Sequence, residues 1–208
     1  MKKITILFVM LCCSLFSISA QQKVDDEKIR QQINAVASTM KTMQCDFVQT
    51  KYLKMLNDKM VSHGKMYYKQ SSQLHWEYTS PYTYTFILND SKVQISQGDR
   101  KDVIDVNQSK FFKEIARIMM NSLVGKSFTD QKDFTSSIVE EGSEYVATLY
   151  PREKQMQQMF QSLVLHFDKQ KSIVSVVELI EKKGDKTVIE LKNVKTNIPV
   201  DEKFFHIN

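Results

Sequence analysis

Turn-forming residues recur roughly every ten positions between Cys45 and Val106, and this spacing restricts the fold more than any other feature of the chain. The segments between the turns are too short for helices of ordinary length. Some alternate apolar and polar residues with the period of two that a strand requires. The strands predicted here are Cys45–Leu56, Met60–Tyr68, Gln73–Tyr78, Tyr82–Leu88, Lys92–Gln97 and Lys101–Val106. Short strands joined by tight turns indicate an antiparallel meander in a sandwich or barrel.

Two other segments have helical periodicity. The first follows a group of acidic residues, which suit the start of a helix, and its apolar residues recur at steps of four and three. These apolar residues are Ile29, Ile33, Val36, Met40 and Met43. The second is Lys110–Leu123, an amphipathic segment that Gly125 is expected to end. The strands predicted after it are Phe134–Glu141, Tyr145–Tyr150, Ser162–Phe167, Ile173–Glu181 and Lys186–Val194, which brings the total to about eleven.

The N-terminus has the layout of a secretory signal. Two lysines precede an apolar run over residues 4–18, and small residues follow up to Ala20. The run is too short to span a bilayer comfortably as a helix. We therefore expect residues 1–20 to be a signal peptide, cleaved after Ser19 or Ala20. Residues 21–208 should form a single monomeric domain in the periplasm.

Cysteine and charge usage limit the classes of function. Lipidation at Cys12 or Cys13 is a weaker alternative to cleavage, because a lipobox has a small residue just before its cysteine. Once the signal is removed Cys45 has no cysteine partner, so we expect a buried thiol and no disulfide. The formal net charge of +5 comes from lysines dispersed along the chain. Nucleic-acid binding is not expected, because no basic run is interleaved with aromatic residues.

The usual catalytic and metal-binding patterns are absent from the sequence. The four histidines are isolated from one another, and neither a nucleophile elbow nor a glycine-rich phosphate loop occurs. His75 alternates with Leu74 and Trp76, so we expect it on the opposite face of its strand, exposed to solvent. The sequence therefore predicts a protein that is not an enzyme and needs no cofactor or metal.

Aromatic stripes mark two of the predicted strands. Leu74, Trp76 and Tyr78 share one face, and Tyr84, Phe86 and Leu88 repeat the pattern on the next strand. Such stripes are typical of an ordinary core and also of a cavity wall. The chain also has eleven methionines, whose deformable side chains suit adaptable binding surfaces. Composition alone leaves both readings open.

Several local motifs, in their order and spacing, resemble the periplasmic outer-membrane lipoprotein carrier family, the LolA-like proteins. The motifs are the pair Phe47 and Gln49, the glycine-led segment Gly64–Lys69, the segment Leu74–Tyr78 with Pro81 after it, the turn Asn89–Lys92, and Phe204 with Phe205. The resemblance covers residues 21–208. It implies an unclosed antiparallel β-barrel with an N-terminal helix, in which Lys110–Leu123 forms a lid over an apolar cavity.

The resemblance also implies a set of site residues. Those expected at the cavity or the lid are Phe47, Met66, Tyr68, Leu74, Trp76, Tyr78, Tyr84, Phe86, Leu88, Phe112, Ile115 and Met119. In the family an arginine after the glycine-led strand is thought to latch the lid. Gln70 stands at that place here and is the latch candidate. An uncharged donor forms a weaker hydrogen bond than an arginine does.

The function implied by the resemblance is that of a periplasmic carrier. It would bind the acyl chains of lipoproteins in the cavity and move them from the inner to the outer membrane. The implied partners are lipidated proteins or other acyl lipids, an inner-membrane release complex and an outer-membrane receptor. Two alternatives are a carrier of another lipid and a periplasmic sensor or regulator that recognises lipoproteins.

Overall fold

Eleven strands form one antiparallel sheet in the computed structural model, which describes residues 25–70, 72–108 and 110–207 except for the side chains of residues 110–112. The strands are β1 (Thr42–Leu53), β2 (Asp58–Lys69), β3 (Gln73–Ser80), β4 (Tyr84–Asn89), β5 (Lys92–Gln97), β6 (Arg100–Asp105), β7 (Phe134–Glu141), β8 (Glu144–Pro151), β9 (Phe160–Asp168), β10 (Val174–Glu181) and β11 (Lys186–Thr196). The prediction of a mainly β fold with about eleven strands is confirmed. The expected signal peptide, residues 1–20, lies outside the described residues.

The order of strands across the sheet leaves the barrel open. It runs from β6 through β5, β4, β3 and β2 to β1, and then from β11 down to β7. The long strand β1 therefore pairs with β2 on one side and with β11 on the other. Strands β6 and β7 form the two edges and do not pair with each other, so the predicted unclosed barrel is confirmed.

Helix α1 (Asp26–Thr39) packs its apolar stripe against the sheet. Asp25 caps it by accepting a hydrogen bond from the backbone N–H of Lys28 at 3.2 Å, and Ile29 and Ile33 are buried. The predicted helical face extended to Met43, and this part of the prediction was wrong. The helix ends at Thr39, and Met43 is the second residue of β1. Met43 stays buried because the inward face of β1 continues the same core.

Three further helices connect the strands. Helix α2 (Lys110–Leu123) is followed by α3 (Lys126–Thr129), and α4 (Lys154–Met159) joins β8 to β9. Gly125 ends α2 as predicted, with φ of +83°. A Cβ atom at Gly125 would also lie 2.8 Å from the Phe167 ring, so both the backbone conformation and the packing favour glycine. No helix in the described ranges is long and apolar enough to cross a membrane.

The C-terminal segment covers part of the outer face of the sheet. A 3-10 turn at Glu202–Phe205 places Phe204 against Tyr67, with ring centroids 3.9 Å apart. The carbonyl oxygen of Phe204 lies 2.7 Å from Nδ1 of His75. His75 does lie on the opposite face from Trp76, but the expectation that it is exposed was wrong, because this segment buries it.

Candidate functional site

An apolar cavity of about 330 Å³ lies between α2 and the concave face of the sheet. Its walls come from both halves of the chain. The lining residues are Gln49, Trp76, Tyr78, Tyr84, Phe86, Ile115, Ile118, Met119, Ser122, Leu123, Phe134, Pro151, Met156, Phe160, Leu163, Val177, Leu179 and Ile189. None of these described residues carries a charge. The cavity is therefore suited to a neutral, apolar ligand.

The aromatic wall of the cavity is built on β3 and β4. Trp76 stands directly opposite Phe86, and Tyr78 stands opposite Tyr84, in the antiparallel register of the two strands. The rings of Tyr78 and Tyr84 are 5.9 Å apart. Strand alternation places all four rings on one face, so this wall follows directly from the sequence pattern.

Phe47 supports this wall from below. Its ring centroid lies 4.2 Å from that of Trp76 and 5.2 Å from that of Tyr78. Gly64 is the cross-strand partner of Phe47, and a Cβ atom there would lie 2.3 Å from Cζ of Phe47 and 2.0 Å from the carbonyl oxygen of Glu77. Only glycine leaves room for the Phe47 ring at this position. Phe47 thus fixes the orientation of the wall without lining the cavity.

Few polar atoms reach the cavity. The Tyr78 hydroxyl donates to Oε1 of Gln49 at 2.9 Å, and the Ser122 hydroxyl donates to the carbonyl oxygen of Ile118 at 2.7 Å. Burial raises the pKa of Tyr78 above its ordinary value, while the nearby Trp76 and Gln49 side chains oppose that rise. The indole N–H of Trp76 is buried, and no acceptor among the described residues lies in hydrogen-bond geometry with it. The Tyr78 hydroxyl therefore stays neutral, and the buried indole N–H lies beside it.

Helix α2 presents different side chains to its different neighbours. Ile115, Ile118 and Met119 face the cavity and are half-buried. The guanidinium of Arg117 bonds Glu114 on the same helix and Asp133 in the segment before β7. These contacts raise the pKa of Arg117, so it is charged at any physiological pH. The helix is thus held by the ion pair between Arg117 and Asp133 and by the apolar contacts of its cavity face.

A second cavity, of about 270 Å³, lies on the other flank of α2. Tyr68, Leu88, Gln70, Ala116 and Met120 are among the residues that line it. The backbone N–H of Gln70 donates to the carbonyl oxygen of Lys41 at 2.7 Å. Among the residues that the structure describes, the Gln70 side chain makes no hydrogen bond to α2.

Comparison with known families assigns this fold. Residues 38–208 match the family model described as outer membrane lipoprotein carrier protein LolA. The chain belongs to the LolA family. The match begins near the end of α1 and spans the whole sheet and α2. A search of curated proteins finds no match.

Solved structures share the fold of this LolA family member at low sequence identity. One is the Pseudomonas aeruginosa MucA/MucB complex, with 13% identity, a TM-score of 0.53 and coverage of 87% of this chain and 61% of that one. Another is an uncharacterized conserved protein from Thermus thermophilus, with 9% identity, a TM-score of 0.53 and coverage of 88% and 93%. The chain thus spans about 61% of the MucA/MucB chain that it matches. These likenesses show the fold alone.

The structure distributes the sequence-predicted site residues over three places. Those at the main cavity are Trp76, Tyr78, Tyr84, Phe86, Ile115 and Met119. Tyr68 and Leu88 lie at the second cavity with the latch candidate Gln70. Phe47, Met66 and Leu74 are buried in the core beneath the aromatic wall. The Phe112 side chain lies outside the described residues.

Sequence reasoning missed the part of the cavity that the C-terminal strands supply. Leu163, Val177, Leu179 and Ile189 line it from β9, β10 and β11. Their strands were predicted, and Val177 and Leu179 alternate on one face as cavity residues should. The missing information was the pairing of β1 with β11, which brings these strands round to face α2.

Proposed function

We propose that this LolA family member is a periplasmic carrier. It binds the acyl chains of lipoproteins in the cavity under α2 and moves them from the inner to the outer membrane. The observation that carries the proposal is a cavity of about 330 Å³ with no charged residue in its described lining. The description of the matching family, an outer membrane lipoprotein carrier, supports the same conclusion.

Apolar burial supplies the binding energy without any chemical reaction. Each Å² of hydrocarbon removed from water contributes roughly 25 cal/mol, so a few hundred Å² of acyl chain contributes several kcal/mol. The aromatic wall on β3 and β4 offers rigid apolar area, and Met119 and Met156 add deformable side chains. A site of this kind holds chains of different length and branching.

The size of the cavity implies that α2 moves when cargo binds. An apolar cavity of about 150 Å³ holds a molecule as small as benzene. At about 330 Å³, the cavity accepts only part of a long acyl chain while α2 keeps its present position. Outward movement of α2 would join the main cavity to the second one of about 270 Å³ on its other flank. We therefore assign α2 the role of lid.

The proposed cycle requires partners at both membranes. An inner-membrane release complex would supply the lipidated protein, and an outer-membrane receptor would accept it. Because the carrier must release its cargo, apolar contact that is reversible suits the task better than a covalent bond. Carriage of another acyl lipid is the second candidate, because the uncharged lining does not distinguish one polar headgroup from another.

Mass spectrometry of molecules that co-purify with the exported protein tests the proposal. We expect acylated proteins with the wild type and a strong loss of them with Leu179→Asp, which places a carboxylate in the cavity wall. Val139→Asp, at a side chain that is 49% exposed, is the matched control and should retain them. Free lipids without protein would favour the second candidate. Equal recovery from both variants would exclude the cavity as the binding site.

A further inference from the structure

The end of the β1–β2 hairpin exposes an unusual concentration of apolar side chains. We name residues 52–61 the hairpin tip. Met55 is 92% exposed, Leu56 70% and Met60 54%, and Tyr52 and Val61 are exposed as well. Five of the eleven exposed large apolar side chains in the described ranges therefore fall within ten residues. Such a concentration of exposed apolar side chains marks an interaction site more often than a defect in packing.

The hairpin tip has a defined structure. The backbone N–H of Leu56 donates to the carbonyl oxygen of Leu53 at 3.2 Å, and Asn57 adopts φ of +48° in the turn. The backbone N–H of Lys54 donates to Oδ1 of Asp185 at 3.0 Å. This bond ties the hairpin tip to the neighbouring turn between β10 and β11. The apolar side chains are thus held outward by a fixed backbone.

Positive charge surrounds these apolar side chains. The hairpin and the adjoining β10–β11 turn together carry six lysines and three acidic residues over 51–60 and 181–186. One of the lysines, Lys51, pairs with Glu181 at 3.3 Å, whereas Lys59, Lys182 and Lys183 are exposed. An apolar wedge flanked by lysines suits a bilayer interface, where the side chain enters the acyl region and the ammonium groups meet anionic headgroups.

The hairpin tip lies at the end of the sheet to which the cavity extends. Strand β1 ends at Leu53, and the antiparallel order places the start of β4 and the end of β8 at this same end. Tyr84 and Pro151, which occupy those positions, line the cavity. Tyr82, which is 74% exposed, lies in the β3–β4 connection at this end too.

We propose that the hairpin tip is a membrane-docking surface that inserts Met55 and Leu56 into the interface of an anionic phospholipid bilayer. Lys59, Lys182 and Lys183 contact the headgroups, and the cavity end of the sheet then faces the membrane. This goes beyond carriage of cargo, because the contact is made by the protein itself and requires no bound acyl chain.

Flotation of the purified, exported protein with vesicles tests the proposal. We expect binding to vesicles of phosphatidylcholine and phosphatidylglycerol and much weaker binding to phosphatidylcholine alone. Replacing both Met55 and Leu56 with Ser should lower the partition coefficient at least tenfold. The matched control replaces Val103 and Val139 with Ser, since these are each 49% exposed at the two edge strands, and it should bind like the wild type.

The charge contribution is tested separately. Replacing Lys182 and Lys183 with Gln should weaken binding to the anionic vesicles several-fold and reduce its dependence on salt. The control replaces Lys171 and Lys195 with Gln as well. These two exposed lysines lie at the opposite end of the sheet, so their replacement should leave binding unchanged. If both double variants lost vesicle binding equally, net charge alone would drive adsorption, and the proposal would fail.

A fluorophore on the hairpin tip reports insertion directly. Cys45 is buried, and burial raises its pKa to about 12, so an environment-sensitive thiol reagent should label a Leu56→Cys variant at the introduced cysteine. We expect a blue shift with anionic vesicles and none for a label at Val139→Cys. A blue shift that depends on protein concentration without vesicles would identify a second copy of the chain as the occupant and overturn the proposal.

The docking proposal and the carrier proposal fail independently. Retention of acyl cargo is measured in solution without vesicles, and replacing Met55 and Leu56 with Ser should not change it. Absence of vesicle binding by the folded wild type would overturn docking while leaving carriage intact. Loss of cargo when Met55 and Leu56 are replaced with Ser would show that the hairpin tip belongs to the cargo site. This result would also overturn docking.

Discussion

Nη1 of Arg117 lies 2.6 Å from Oδ2 of Asp133, and this ion pair ties α2 to the segment that precedes β7. The latch that sequence resemblance implies is Gln70, which lines the second cavity together with Arg117. Among the described residues, the Gln70 side chain makes no hydrogen bond to α2, whereas the Arg117 guanidinium binds Asp133 and holds α2 in the observed position. Arg117 is therefore a latch candidate that the family pattern did not point to.

Arg117→Gln should loosen α2 with little effect on global stability. The Arg117 side chain is 32% exposed, so loss of its ion pairs should lower the free energy of unfolding by no more than about 1 kcal/mol. Hydrogen exchange of the α2 amides should accelerate, because opening of the helix no longer breaks the contact with Asp133. Arg100→Gln, which removes an exposed ion pair with Asp102 on β6, is the control. Unchanged exchange in α2 would remove Arg117 from consideration as a latch.

Trp76 should report on cavity ligands, because it is the only tryptophan in the chain and lines the cavity. A long-chain fatty acid or lipopeptide should shift or quench its fluorescence, since the ligand changes the polarity around the indole. A short polar peptide should have no effect. A Trp76 spectrum that is indifferent to all acyl ligands would favour a packed core without a binding role.

Ile115→Glu should show whether α2 is a separable lid or an integral part of the core. The substitution places a carboxylate against an apolar cavity, which is costly unless the helix swings outward. We expect the protein to stay folded by circular dichroism, with a modest fall in melting temperature and poor retention of cargo. Lys113→Glu is the control, because it introduces the same residue at an exposed position of α2 that does not line the main cavity. Cooperative unfolding of the whole domain by Ile115→Glu would contradict the role of α2 as a separable lid.

Stability at alkaline pH should depend on Cys45. Burial raises the pKa of its thiol from 9.0 to about 12. The unfolded chain then loses the thiol proton at lower pH than the folded one does. The stabilising contribution is therefore present below pH 9.0 and is lost as the pH rises towards about 12.

Urea denaturation of the wild type and of Cys45→Ala at increasing pH measures this contribution. The free energy of unfolding should fall more steeply for the wild type between pH 9.0 and about 12. The difference can reach about 4 kcal/mol, since each pKa unit corresponds to about 1.4 kcal/mol. Buried tyrosines are retained in Cys45→Ala, so their ionisation cancels in the comparison. Parallel pH profiles would show that the thiol ionises equally well in the folded protein.

The expectation for His75 shows where local reasoning fails. Its alternation with Trp76 correctly places the two side chains on opposite faces of β3. Whether the face that carries His75 is exposed to solvent depends on Phe204, which lies far along the chain. The carbonyl oxygen of Phe204 is 2.7 Å from the His75 ring. Alternation carries no information about which segment later covers a face.

The sequence by itself determined the strands, the amphipathic α2 and the stop at Gly125, because side-chain periodicity and backbone conformation are local properties. Only the tertiary structure decided which apolar residues border the cavity. Phe47 and Trp76 occupy equivalent inward positions on their strands, yet Phe47 is packed over Gly64 and Trp76 faces the cavity. The pairing of β1 with β11 brings in Ile189. Such placement depends on contacts between residues far apart in the chain, and no local pattern encodes them.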